Sequence, residues 1–285
     1  MTDQPQDQQP RSYPEGVTCW INTDQPDVEA ALEFYGGLFG WTFDDIASPE
    51  SPNRYVIAEL DGREVGAIAG PREPGEREAR WNTYVAVDDA DAATARLESL
   101  GATVVSPPAD AGPSGRAATL TDPEGVEFRL WQPRTRLGVQ ATNEPGSWNF
   151  SDLHSGDVRA AADFYVKGFG WSIDDLGYGT AIRVPGYGDH LEATSDPDIR
   201  SRQSAAPEGF EDVIGGLAST DDGEAPHWHV TFTVADRDES VASVERLGGT
   251  VLRTGEDDWT RNATVSDPAG ARFTVSQFAP PTDWD

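Results

Sequence analysis

A chain of 285 residues, 37% hydrophobic and with 9 Trp, 7 Tyr and 11 Phe, is long enough for about two hydrophobic cores and rich enough in aromatic residues to fill them, which excludes global disorder. Its 50 acidic residues against 21 basic ones, a net charge of −29, disfavour nucleic acid and anionic membranes as partners, because both need a basic footprint. The single cysteine, Cys19, excludes an intrachain disulfide and a cysteine-built metal site.

Residues 1–13 are polar, carry no apolar run of the signal-peptide kind, and read as a disordered tail; no later stretch approaches the length of a membrane span, so a cytoplasmic protein is expected. An apolar run at 17–21 predicts a strand. Asp27 is the N-cap candidate of a helix that places Val28, Ala31, Leu32 and Tyr35 at helical spacing, and the Gly36-Gly37 pair is expected to close it. Strands follow at 41–43, 55–60 and 65–69, the last two joined by an Asp61-Gly62 hairpin turn. The pattern then restarts: a strand at 83–87, a helix at 91–100 ending at Gly101, strands at 103–105 and 117–120, an Asp122-Pro-Glu-Gly125 turn and a strand at 126–131. Each run reads βαβββ. The predicted domains are 14–133 and 148–279, with a linker at 134–147 and a tail at 280–285. The second domain repeats the scheme except at 185–212, a stretch rich in Pro, Gly, Ser and charge where the first has only a hairpin; its length fits a lid or, as its composition favours, a surface excursion.

The internal repeat is the strongest signal. Phe34-Tyr35 followed by Phe39-Gly40-Trp41 recurs as Phe164-Tyr165 and Phe169-Gly170-Trp171; Trp81 with Leu100-Gly101 recurs as Trp228 with Leu247-Gly248; Thr121-Asp-Pro-Glu-Gly125 recurs as Ser266-Asp-Pro-Ala-Gly270. These motifs resemble the vicinal oxygen chelate superfamily, which includes glyoxalase I, bleomycin-resistance proteins and extradiol dioxygenases, and in particular its two-domain glyoxalase-like branch. The resemblance implies an α+β fold: two tandem domains, each of two paired βαβββ modules whose curved sheet forms a cup. It implies, where a divalent metal is present, one ligand from the first strand and one from the last strand of each module. Counting from the helix-start and turn aspartates, those positions fall in the first domain on Trp20, Asn82, Arg129 and one residue within 66–69, none a histidine or carboxylate. In the second they fall on Phe150, His229, Thr274 and one residue within 215–218.

One expected ligand, His229, therefore survives. Strand alternation adds neighbours, since Phe150, Asp152 and His154 share one face and His227 and His229 another. A displaced divalent-metal site in the second domain is accordingly drawn from Asp152, His154, His227 and His229; hydrogen-bonded or solvent-facing strand histidines are the alternative. In the first domain Trp20 with Asn22, Asn82 with Tyr84, and Arg129 with Trp131 alternate onto faces that the resemblance brings together, giving a ligand-binding cup in which Arg129 meets an anionic group; the alternative is a filled core with Arg129 paired to Glu127 or Asp122. Three functions stay open: a metal-independent small-molecule binder, a metal-dependent lyase, isomerase or dioxygenase acting in the second domain, and a structural or partner-binding protein. Finally, twenty Arg against the lone Lys167 on a strongly acidic chain resembles proteins of halophilic organisms, so an acidic, salt-dependent surface is expected.

Overall fold

The computed structural model describes residues 10–280 apart from 76, 77, 177, 178, 205 and 222. The first half of the chain forms β1 Thr18–Asp24, α1 Val28–Phe39, β2 Thr42–Asp45, β3 Asn53–Leu60 and β4 Arg63–Pro71, then β5 Arg80–Ala86, α2 Ala90–Ser99, β6 Thr103–Asp110, β7 Gly115–Thr121 and β8 Glu127–Pro133. The second half forms β9 Trp148–Ser155, α3 Val158–Phe169, β10 Ser172–Asp175, β11 Thr180–Arg183, α4 Tyr187–Ala193, α5 Ile199–Arg202, a single-turn helix Phe210–Asp212 and β12 Val213–Ser219. It closes with β13 His227–Thr233, α6 Arg237–Arg246, β14 Thr250–Glu256, β15 Thr260–Ser266 and β16 Arg272–Phe278.

Each half contributes one curved eight-stranded sheet. The orders are β2-β3-β4-β1-β5-β8-β7-β6 and β10-β11-β12-β9-β13-β16-β15-β14, the same path twice. Within each the first and last strands of a module lie parallel, as in β1 with β4 and β13 with β16.

Local chemistry explains the elements. All four long helices begin at an aspartate, Asp27, Asp89, Asp157 and Asp236, whose carboxylate accepts from the backbone N–H three residues on, a cap that stabilises a helix by about 1 kcal/mol. At the expected Asp61-Gly62 turn both residues take positive φ, 52° and 73°, which is what a two-residue hairpin with the strand twist requires. The Gly36-Gly37 pair does not close α1, contrary to expectation. The helix runs on to Phe39 and ends at Gly40, φ 75°, whose N–H reaches the Gly36 carbonyl. The pair serves close approach instead: a Cβ on Gly37 would stand 2.9 Å from Leu247 Cδ2, and one on Gly36 3.1 Å from Phe43. The 185–212 stretch is ordered into α4, α5 and the single-turn helix, with Tyr187, Leu191 and Ile199 buried. Arg11 donates to the Tyr187 hydroxyl at 2.9 Å, Ser12 Oγ lies 3.2 Å from His190 Nε2, and Tyr13 is buried. Residues 10–13 are thus packed.

Compactness follows another division than the halves. One unit comprises Met1–Cys19, Val85–Gly138 and Ser155–Glu224; the other comprises Trp20–Tyr84, Val139–His154 and Ala225–Asp285. In the second unit the motif residues Phe34, Tyr35, Phe39 and Trp41 pack with Trp81, Phe232 and Phe273, ring centroids 4.8–6.5 Å apart. In the first, Phe164, Tyr165 and Phe169 pack around Phe128, and Trp171 stacks on Tyr165 at 5.0 Å. The turn aspartates tie these cores to the sheet. Asp267 Oδ1 accepts from the N–H groups of Ala269 and Ala271 while its Oδ2 accepts from the Tyr35 hydroxyl at 2.8 Å and from Gln25 at 2.6 Å. Asp122 does the same for Glu124, Val126 and Tyr165. The repeated motif is therefore the residue set that builds each core.

Candidate functional site

The cup-lining residues proposed for the first domain meet two fates. In the second compact unit the β1 residues Trp20–Asp24 are all buried, as are Asn82 and Tyr84. Tyr84 donates to Asn22 Oδ1 at 2.9 Å, Asn22 and Asn82 donate to the two oxygens of Asp24 at 3.2 and 3.0 Å, and Trp20 Nε1 donates to the Tyr55 hydroxyl at 2.9 Å. Side chains that would greet a ligand satisfy one another, which is what their burial demands. In the first compact unit Arg129 pairs with Glu127 at 3.5 Å, and buried Trp131 donates its indole N–H to the Arg136 carbonyl at 2.9 Å.

The second domain differs. Along β13, and over residues 150–155 of β9 and 273–276 of β16, the residues alternate between buried and half-buried: Ser151, Leu153, Trp228, Val230, Phe232, Phe273 and Val275 point inward, while Phe150, Asp152, His154, His227, His229, Thr231 and Thr274 form the opposite face. Register aligns that face into rows. Phe150 sits opposite Thr231, Thr231 beside Thr274, Thr274 opposite Thr264, and Thr264 opposite Arg253. The next rows pair Asp152 with His229 and His154 with His227. Two first strands that the sequence placed near each other are direct antiparallel neighbours.

His229 Nε2 lies 2.8 Å from Thr274 Oγ1, which is 3.3 Å from Thr264 Oγ1. Burial pushes the His229 pKa down from 6.5 to about 3, helped by the positive charge that His154, His227, Arg253 and Arg272 would each bring. The ring is neutral at physiological pH, able to accept or donate but not to carry charge. The three imidazoles form a triangle with centroids 4.8, 5.5 and 5.7 Å apart.

His154 and His227, two of the four metal candidates read from sequence, are both half-buried and stand opposite each other in register; Asp152 and His229 form the neighbouring row. The fourth histidine, His190, contacts Ser12.

Comparison with known proteins finds one family model, described as a glyoxalase-like domain, matching residues 20–131 and again 151–276. CFP32 of Mycobacterium tuberculosis, named as a glyoxylase, is 34% identical over 275 residues, covering 94% of this chain and 97% of that protein. The anthracycline biosynthesis protein DnrV of Streptomyces peucetius is 32% identical over 277 residues, 92% and 94% of the two chains. Among solved structures, an Mn(II)-bound glyoxalase from Novosphingobium aromaticivorans superposes with a TM-score of 0.58 at 15% identity, covering 93% of this chain and 83% of its own. The 2,2',3-trihydroxybiphenyl 1,2-dioxygenase of Sphingomonas wittichii does so at 0.57 and 15%, covering 95% of each. At such identities the structural likeness concerns the fold.

The residues at the positions that the resemblance implied for a metal do not suit a cation. In the first domain they are an indole donating to Tyr55, a carboxamide donating to Asp24 and a guanidinium. In the second, His229 is flanked by a phenyl ring and a threonine hydroxyl that already engages it, and neither is a ligand for a borderline ion.

Proposed function

Because the chain belongs to the glyoxalase-like domain family, we propose that it binds a small, flat, oxygen-bearing molecule on the half-buried face of β9, β13, β16 and β15 in its second domain. The observation that carries this reading is the contrast between the sheets. On the first, buried Asn22, Asn82 and Tyr84 are satisfied by one another and by Asp24, whereas the second keeps Thr231, Thr264, Thr274 and His229 half-buried in rows ending at Phe150 and Arg253. Hydroxyls and a neutral imidazole offer both donors and acceptors to carbonyl or phenolic oxygens, Phe150 supplies an apolar wall, and Arg253 and Arg272 favour a partial negative charge. The relative named for anthracycline biosynthesis supports a ligand of this flat, oxygenated kind.

Intrinsic tryptophan fluorescence during titration with a dihydroxyanthraquinone in the presence of EDTA tests this. Saturable binding is expected, weakened at least about tenfold, a loss of 1.4 kcal/mol, in a protein carrying His229→Phe and Thr274→Val. Unchanged affinity in that variant, with wild-type melting behaviour, would remove the site. A second reading, a metal-dependent lyase, isomerase or dioxygenase acting in the second domain, is favoured by the pairing of two half-buried histidines, His154 and His227, across neighbouring strands.

A further inference from the structure

The half-buried face of the second sheet runs against the charge of the chain. Strands β13, β14, β15 and β16 hold a single carboxylate between them, Glu256, although the chain has 50 acidic residues against 21 basic ones. Glu256 stands opposite Arg261 and pairs with it at 2.9 Å. Arg261 is two residues from buried Ala263, so strand alternation puts this pair on the other face. What the four strands present on the half-buried side is polar or cationic: Thr231, Thr274 and Thr264 in a row ending at Arg253, and His229 with Arg272 in the next. All of these residues belong to the second compact unit. We propose that the molecule bound on this face is an aromatic carboxylate, its carboxylate recognised by Arg253 and Arg272 and its ring oxygens by Thr264, Thr274 and His229. This deepens the small-molecule reading and rests on it.

Three observations carry it. First, register fixes where the arginines leave the sheet. Arg253 is the partner of Thr264, and Thr264 of Thr274, so all three side chains emerge on one side. Arg272 precedes Thr274 by two residues as His229 precedes Thr231, and Thr231 pairs with Thr274, which brings Arg272 and His229 to that same side in a shared row. Second, the charge of both arginines reaches the site: each adds to the lowering of the His229 pKa, after burial and the other two histidines. Third, both cations are guanidinium groups. Their planar fork meets a carboxylate through two parallel N–H donors, where an ammonium would act as a point charge.

The charge of the whole molecule sharpens the assignment. A net charge of −29 repels anions at long range, so a face that accepts one must supply its own cations. Asp152 stands opposite His229 on β9, and its repulsion directs the ligand's charge away from β9, toward β16 and β14.

The experiment compares 1,8-dihydroxyanthraquinone with its 3-carboxylate, two compounds of one ring system that differ by a single negative charge, each titrated into the full chain at pH 7.5 in EDTA. Both arginines are exposed and act on the scale of surface charge pairs, so the carboxylate is expected to bind about five- to tenfold more tightly than its neutral parent. Arg253→Gln/Arg272→Gln is expected to abolish that preference while changing the affinity of the neutral parent less than about twofold. Arg246→Gln, which removes a positive charge from exposed α6 instead, is expected to leave the preference intact. Equal binding of the two compounds by the wild-type protein, or a preference that survives in the double variant, overturns the assignment and leaves the small-molecule reading standing. Binding of neither compound overturns both. The wild-type comparison needs no variant and so does not depend on one folding.

Discussion

A half-buried imidazole that stays neutral makes the protein sensitive to acid. The His229 pKa is lowered from 6.5 to about 3, first by burial and then by neighbouring positive groups. Between those values the unfolded chain binds a proton that the folded chain refuses, so stability rises with pH across the interval. The contribution of His229 is complete above about pH 6.5 and is lost as the pH falls toward 3. Urea midpoints at pH 7.5 and 4.5 are expected to differ, with the lower value in acid, and His229→Gln is expected to shrink the difference. An identical difference in wild type and variant would assign the acid sensitivity to other groups. The same ring shows how far a site can be read from sequence. Counting from Asp236 reached His229, because strand spacing is regular; Thr264 and Arg253 escaped because only the pairing of β14, β15 and β16 brings them onto the same face.

At the level of elements, glycines that look alike do different work. Gly40 has φ 75° and open space where a Cβ would stand, whereas Gly37 has ordinary helical backbone and Leu247 at 2.9 Å. Gly40→Ala is expected to cost about 1 kcal/mol through backbone strain alone, and Gly37→Ala to act by forcing Leu247 aside; pairing Gly37→Ala with Leu247→Ala should then relieve the second but not the first. Thermal melts of the variants check both outcomes. Most elements were legible, since the aspartate caps, the Asp61-Gly62 turn and the 3.6- and 2-residue periods are local chemistry. The end of α1 was not, because a Gly-Gly pair reads as a stop until the leucine that packs on it is known. The helices of 185–212 were hidden as well: their polar and glycine-rich composition carries little periodicity, and Tyr187, Leu191 and Ile199 are the few apolar residues by which they are held.

For the whole molecule, charge is expected to make stability depend on salt. With a net charge of −29, self-repulsion opposes compactness unless counter-ions intervene. The melting temperature is expected to climb steadily from millimolar to molar KCl, as the screening length falls from about 30 Å at 0.01 M to about 3 Å at 1 M; a flat profile would show that the acidic surface is tolerated without salt. The tandem repeat was legible because its motif residues are the core residues. Which repeat segments share a core was not: the hydrogen bond between Tyr35 and Asp267 joins residues 232 positions apart, and separation of that size leaves no mark on composition or period.

That bond also sets the order in which the protein can be made. A chain made only as far as β5 lacks Phe232, Asp267 and Phe273, which complete the aromatic core around Phe34, Tyr35 and Trp41. A nascent chain halted there is expected to expose an aromatic helix face and to aggregate more readily than the finished protein.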